Sequence, residues 1–549
     1  MKLRDKSNRF TKEERSWIFY DWANSVYATN IMAAIFPIYY ASVATDMGKK
    51  WWGIGVSIAS LVCAILAPTL GAIADFKGYK KKLLAAFIGI GVVFTALMAF
   101  VGTWQWMLVG YVISHIGFSG ACVFYDSFLT DVTTGERMDR VSAWGYAMGY
   151  LGGSTIPFVI SIVILLLTDF SVPAIKFSIL ITSVWWAAFS IPILKNVDQK
   201  HYVDTPPSEL AKHAGRNLWS TMKRCVMNRG MLLFLLAYFL YIDGVGTIIS
   251  LSTNYGATLG LGSTGMILAL LVTQLVAVPF SILFSKLASK FGSIRMIVVA
   301  ICMYFCITGV GFFMGRIVEP YQLGYSAAAR QAASSQMVAA ADTPDGKVWT
   351  TVVDDLVENG KDILADEDRP AAFAAMFDEM RGKIDGGVAY DFTDADARSS
   401  ALTALTCIEQ DLSGFTQDTA LQEGYAGARK TASILFWVLA TLVGTVQGGI
   451  QALSRSYFGK LVPQNRSAEY FGFYDVFGKF AAVIGPLLYS TFYMLTDRAS
   501  IGILSLLILF GSGAILLIAG RKQIAASERE VRAENARIAA ESAPDQPEG

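Results

Sequence analysis

Tyr241-Ile-Asp-Gly-Val-Gly-Thr places Asp243 near the middle of an apolar run long enough to cross a bilayer. A carboxylate at that depth is costly, which points to a ligand-binding or proton-carrying group, or to a structural hydrogen bond with a neighbouring helix. Other stretches carry comparable chemistry. In Tyr20-Asp-Trp-Ala-Asn-Ser-Val-Tyr, Asp21 and Asn24 are three apart and Tyr20 and Tyr27 seven apart, so a polar strip follows one helix face. Asp21 is close enough to its span's start that interfacial water is the alternative partner. His115 stands mid-span, suited to proton transfer or to packing beside Gly117. Asp126 lies nearer a membrane face and divides between the same two uses as Asp21. Gln447, Gln451 and Arg455 recur every four residues, two amides and a guanidinium on one face, for a ligand or for bonds between helices. Asp475 and Lys479 have the acid-first i, i+4 order in which the two charges neutralise each other.

Together these groups could line a central site. Asp21, Asn24, Tyr27, Asp243, Gln447, Gln451 and Lys479 would bind a small-molecule substrate. Protons carried by Asp243, Asp126 or His115 would couple its movement to a gradient. Catalysis lacks its parts: His115 has no evident nucleophile or metal partner, and the six cysteines are scattered. We therefore expect no enzyme, no metal and no cofactor. The expected partners are a small-molecule substrate, lipid and protons, with no nucleic acid.

The elements that position these groups are membrane helices. The chain has 549 residues, 54% of them hydrophobic, and a mean hydropathy of +0.46, too apolar for a soluble protein of two or three domains. Apolar runs at 17–42, 51–75, 83–103, 105–130, 141–168, 172–195, 231–252, 264–285, 296–318, 431–455, 472–495 and 499–520 predict twelve spans. Basic residues cluster at 2–15, 77–82, 195–229 and 286–295, all on one side if the spans alternate. The positive-inside rule makes that side cytoplasmic, with both termini there. The first span lacks a small-residue cleavage site and reads as a retained helix.

Residues 319–428 interrupt the spans with 20 acidic and 7 basic side chains, a net −13 against +14 for the rest. Alternation from a cytoplasmic N-terminus makes them an extracytoplasmic insert. Short helices at 326–341, 348–359, 371–383 and 397–412 predict a small solvated cap. The segment has no histidine, and Asp391-Phe-Thr-Asp-Ala-Asp lacks the glycine and glutamate of a calcium loop. Residues 196–230 read as a cytoplasmic linker whose basic stretch 207–224 lies on the inner leaflet. Residues 521–549 read as a frayed cytoplasmic helix.

Gly71-Ala-Ile-Ala-Asp-Phe-Lys-Gly-Tyr-Lys-Lys-Lys closes the second span. Two glycines permit close backbone approach, Asp75 sits where hydrocarbon meets water, and lysines hold the turn in the cytoplasm. Gly71, Asp75, Gly78, Lys80 and Lys81 are the candidate gate, with Asp75 directed at the N-terminal end of the eleventh span. A worn copy follows about 214 residues later, with Gly292 for Gly78 and Ser285 and Ser289 for Gly71 and Asp75. Two related six-helix halves follow, 1–195 and 231–318 with 429–520, around a central site.

The Gly-x-x-x-Asp-x-x-Gly-x-Lys-Lys pattern resembles the loop between helices 2 and 3 of the major facilitator superfamily. Tyr20-Asp-Trp-Ala-Asn-Ser, Ile35-Phe-Pro-Ile-Tyr-Tyr, Tyr241-Ile-Asp-Gly-Val, Gln447-Gly-Gly-Ile-Gln-Ala-Leu-Ser-Arg-Ser and Tyr470-Phe-Gly-Phe-Tyr-Asp with Gly478-Lys-Phe look like its vacuole-effluxer branch. That branch comprises an autophagy-related fungal vacuolar permease and bacterial relatives. The resemblance implies an all-α membrane protein of twelve helices in two pseudo-symmetric halves. It also implies alternating access and, from the fungal members, export of amino acids, whose ammonium would meet the carboxylates and whose carboxylate would meet amides, backbone donors or Lys479. Residues 319–428 depart from the pattern. The bacterial relatives suggest a bacterial cytoplasmic membrane. Export of drugs or other amphiphiles, and a receptor displaying the insert, are the competing functions.

Overall fold

Apolar runs of this length must pair every backbone N–H and C=O internally once water is excluded, and the α-helix does so within one segment. The computed structural model describes residues 9–203, 223–337, 344–364, 366, 368–386 and 390–541. Among them, twelve helices are long and apolar enough to cross a membrane. The first six are α1 (Lys12–Val43), α2 (Asp46–Ala74), α3 (Tyr79–Met98), α4 (Trp104–Val132), α5 (Met138–Leu167) and α6 (Val172–Asn196). Next come α7 (Arg229–Thr258), α8 (Ser263–Phe291) and α9 (Ser293–Met337). Three short helices follow, α10 (Pro344–Ile363), α11 (Arg369–Gly386) and α12 (Ala395–Thr416). The membrane part ends with α13 (Thr419–Lys460), α14 (Ser467–Thr496) and α15 (Ala499–Ile538).

The buried side chains fall into two cores. One is built from Trp17 to Val197, joined by Ala468, and the other from Cys225 to Ile524. These are the N-terminal half, α1–α6, and the C-terminal half, α7–α9 with α13–α15. The halves meet where α2 packs on α14, α5 on α8 and α13, and α4 on α14. Glu14 and Arg532 both reach residues 133–137 at one end of the bundle, here the termini face, and the described residues of 344–418 lie at the other, the insert face. Helices α1 and α5 each contain a π-helical stretch, Ala28–Ala34 and Gly149–Thr155, and the two stretches touch. Widened turns of this kind often mark functional positions in a helix.

Two boundaries differ from the expectation. Helix α9 does not stop at residue 319 but runs on through Pro320 to Met337, and α13 starts at Thr419, so two membrane helices extend together beyond the bilayer. Against α9 pack α10 and α12, with Trp349, Phe373, Phe377, Leu405 and Ile408 buried. The tail is not frayed either. Continuing α15, a helix persists to Glu541, because Ile524 and Val531 are buried and Glu528 accepts a hydrogen bond from the Tyr457 hydroxyl at 2.8 Å. Most of the basic stretch 207–224 lies outside the described residues.

Candidate functional site

At the termini face, α14 begins with Arg466 at its N-cap and no side chain of its own capping it. The first N–H groups of a helix need outside acceptors, and Asp75, from the end of α2, supplies them across the two halves. Its carboxylate oxygens accept from the amides of Ala468 and Glu469, each at 2.9 Å. The positive end of the helix dipole favours the same contact. Close approach depends on Gly71, since a Cβ there would overlap the carbonyl of Ala468. Burial pushes the Asp75 carboxyl up to about 7, against the pull of Lys80 and the two amides. Gly78 turns the chain into α3 at φ +77°, a left-handed conformation that costs glycine little.

Lys80 is fully buried and donates to Asp131 and to Ser467, both at 2.8 Å. It therefore ties α3 and α4 to the start of α14. Lys81 is more exposed and pairs with Asp198 at 2.7 Å. The segment after α6 straps over this turn: Gln199 accepts from Gly78 N–H at 2.9 Å, and Val203 N–H donates to the Asp75 carbonyl at 2.8 Å.

A second tie lies at the worn copy of the motif. Gly292 again turns the chain at positive φ, +91°, into α9. The acid now comes from the other half: Asp139, in the first turn of α5, accepts from Ser293 at 2.7 Å, Ser456 at 2.6 Å and Lys460 at 2.6 Å. In both ties the N-terminal half contributes a carboxylate and the C-terminal half the donors.

The deepest tie is Arg455. From α13 its guanidinium enters the N-terminal half and lies 3.1 Å from Asp21 and 3.0 Å from Asp126. It also donates to the hydroxyl and carbonyl oxygens of Ser142. Tyr125 donates to Asp21 at 2.7 Å, and the rings of Trp17, Tyr125 and Tyr146 lie 4.7, 5.4 and 4.3 Å from the guanidinium carbon. Arg455 is 3% exposed, so both acids and the aromatic faces are needed to offset the loss of water.

Across from this cluster, Lys479 pairs with Asp475 one turn earlier on α14. The Asp475 charge acts on Asp126, and that of Lys479 on His115 and Cys122. Asn24 approaches the Cys122 sulfur at 3.6 Å. Gln451 accepts from the Tyr150 hydroxyl at 2.9 Å, and Gln447 also reaches Tyr150.

The structure thus gathers Asp21, Asp126 and Arg455, with Asn24, Asp475 and Lys479 around them. It does not bring Tyr27, His115 or Asp243 into that cluster. Tyr27 is buried against Phe118 and bonds Ser114 at 2.8 Å, and His115 meets the Tyr111 hydroxyl at 3.3 Å. Asp243 lies where α7 packs on α14, accepting from Gly485 N–H at 2.9 Å. Sequence alone does not point to Asp131, Asp139 or Lys460, which read as ordinary charges near loops. Arg455 did carry a signal, its register with the two glutamines, but not the identity of its partners.

Two six-helix halves joined by inter-half ties on one face are the architecture of a major facilitator transporter, a multi-pass membrane protein. The chain belongs to the vacuole effluxer Atg22-like family, whose profile matches residues 54–326 and 421–528 and leaves the insert unmatched. It is 37% identical over 523 residues to the MFS-type transporter YxiO of Bacillus subtilis, covering 93% of this chain and 95% of that one. Autophagy-related protein 22 of Coccidioides immitis is 22% identical over 410 residues, 53% of this chain and 68% of the relative. In fold the chain is similar to a bacterial homologue of the iron transporter ferroportin in its outward-facing state, with TM-score 0.50 and 11% identity over 95% of this chain and 99% of that one.

Proposed function

We propose that this transporter moves small zwitterions, amino acids among them, by alternating access, and that protons drive it. The carrying observation is the placement of Arg455 between Asp21 and Asp126, beside the Asp475–Lys479 pair. Both groups of charges are already paired. A zwitterion can exchange partners with them, carboxylate to Arg455 or Lys479 and ammonium to Asp126 or Asp475, adding no net charge to a dry site. The exchange loosens Arg455's hold on the N-terminal half and so links binding to opening of the termini face.

On this reading the termini face is cytoplasmic, the insert lies outside, and the membrane is a bacterial cytoplasmic one. The ties close the cytoplasmic side, so the arrangement is outward-facing. Asp243 is the favoured proton carrier: its carboxyl is buried mid-span, with Gly485 N–H on Oδ2 and the Thr247 hydroxyl beside it. Between Phe313 and Ile434 no large apolar side chain is exposed among the residues whose burial is described, which favours a solvated cap over a docking module.

Proteoliposomes loaded with a pH dye test this proposal against a panel of amino acids, peptides, sugars and lipophilic cations. Internal acidification with amino acids alone is expected. Acidification with lipophilic cations instead, or with none of the panel for a folded protein, would overturn it.

A further inference from the structure

After leaving the apolar zone, the helix that continues α15 keeps one face turned to the C-terminal half. Ile524, Ser527, Glu528, Val531 and Asn535 recur along it at helical spacing, and Ile524, Ser527 and Val531 are buried. Polar groups on the same face fix its register. Ser527 donates to Asn228, the N-cap of α7, at 2.9 Å, and Glu528 accepts from Tyr457 near the end of α13. Further along, Asn535 Oδ1 accepts from Gln464 N–H at 2.9 Å. Gln464 opens the short turn Gln464–Arg466 that delivers the chain into α14. The amides of Ala468 and Glu469, which bond Asp75, follow four and five residues after it. The tail therefore holds the receiving side of the tie between α2 and α14.

We propose that the tail helix braces this gate and that Asn535 is a positioning residue. It keeps the turn before α14 ordered, so that the first amides of α14 are already in place when α2 arrives. Tail and turn belong to the same half, so the Asn535 bond is made whether the termini face is closed or open. Its effect on the balance between those states is one of order. Without the brace, the Asp75 tie alone orders the turn, and closing then carries an entropic cost that opening relieves. The inference goes beyond the transport reading and holds whatever the substrate is.

Spin-label distances between α2 and α14, recorded on the full chain without substrate, test it. Asn535→Ala should shift the closed-to-open ratio toward open by roughly fivefold, about the cost of fixing one residue's backbone. Asn535→Asp keeps an oxygen acceptor for Gln464 N–H and should hold the wild-type ratio. In an Asp75→Ala background, Asn535→Ala should add nothing, because the tie through which it acts is gone. The tail also reaches the N-terminal half, where Arg532 lies 3.5 Å from Glu136 with both side chains exposed. Such a pair is worth little, and Arg532→Ala should leave the ratio unchanged. A folded Asn535→Ala protein with wild-type distances would overturn the proposal, as would a shift that Asn535→Asp shares or that persists undiminished in the Asp75→Ala background. A shift in Arg532→Ala but not in Asn535→Ala would make the tail a direct latch between the halves and overturn it too.

Discussion

Arg455 has no acid on its own helix within reach, and its nearest carboxylates are more than three hundred residues away in the chain. Its register with Gln447 and Gln451 was legible from spacing alone. Its two acids were not, because a tertiary ion pair between halves leaves no periodic trace. Removing it should be expensive: Arg455→Ala leaves the buried Asp21 and the half-buried Asp126 without their counter-ion, a loss of up to about 3–5 kcal/mol for a broken buried pair. A lowered melting temperature, partly recovered when Asp21→Asn and Asp126→Asn are added, would show the cost to be electrostatic. Asp243 presents the opposite case. Its mid-span depth was plain from sequence, but the sequence did not show that it faces α14 rather than the cluster. As the proposed proton carrier, Asp243→Asn should abolish gradient-driven accumulation while sparing exchange. Accumulation equal to wild type would remove it from that role.

Among elements, the contact between α2 and α14 carries the clearest prediction. Asp75 acts as the missing N-cap of α14, and loss of an N-cap side chain costs about 0.5–2 kcal/mol. Asp75→Ala should therefore shift the closed-to-open ratio at the termini face by roughly twofold to thirtyfold. Spin-label distances between α2 and α14 would read it, and an unchanged distribution would refute it. Closed, Asp75 titrates at about 7. Opened to water, it should return to the usual carboxylate value of about 4. The closed face then holds an extra proton between those limits, so closure weakens as pH rises from about 4 to 7 and is flat above. Asp75→Asn should remove that dependence, and a slope persisting in the variant would assign it to another group. The turn itself was readable because Gly78 and the lysines announce a tight basic connection. The tie through Asp139 was not, because Ser289 has replaced the acid in the second copy and a loop-side residue of the other half supplies it.

On the scale of the whole molecule, hydropathy was enough to count the spans, since a membrane imposes length and composition together. It was not enough to bound the insert, because α9 and α13 keep their helical pairing after leaving the apolar zone. The insert packs on α9 within the C-terminal half and should travel with that half as it rocks. Replacing residues 338–418 with a short Gly/Ser linker should therefore leave transport within about twofold of wild type; abolition in a folded variant would give the insert a direct part in the cycle. The central claim is that a zwitterion is exchanged through the Arg455 ion pairs as the halves alternate. Counterflow of labelled neutral amino acids into proteoliposomes tests it most directly, comparing wild type with a variant carrying Arg455→Met, Asp21→Asn and Asp126→Asn. The account predicts exchange by the wild type and none by the folded variant. Undiminished exchange by that variant, or no exchange of any zwitterion by the wild type, would contradict it.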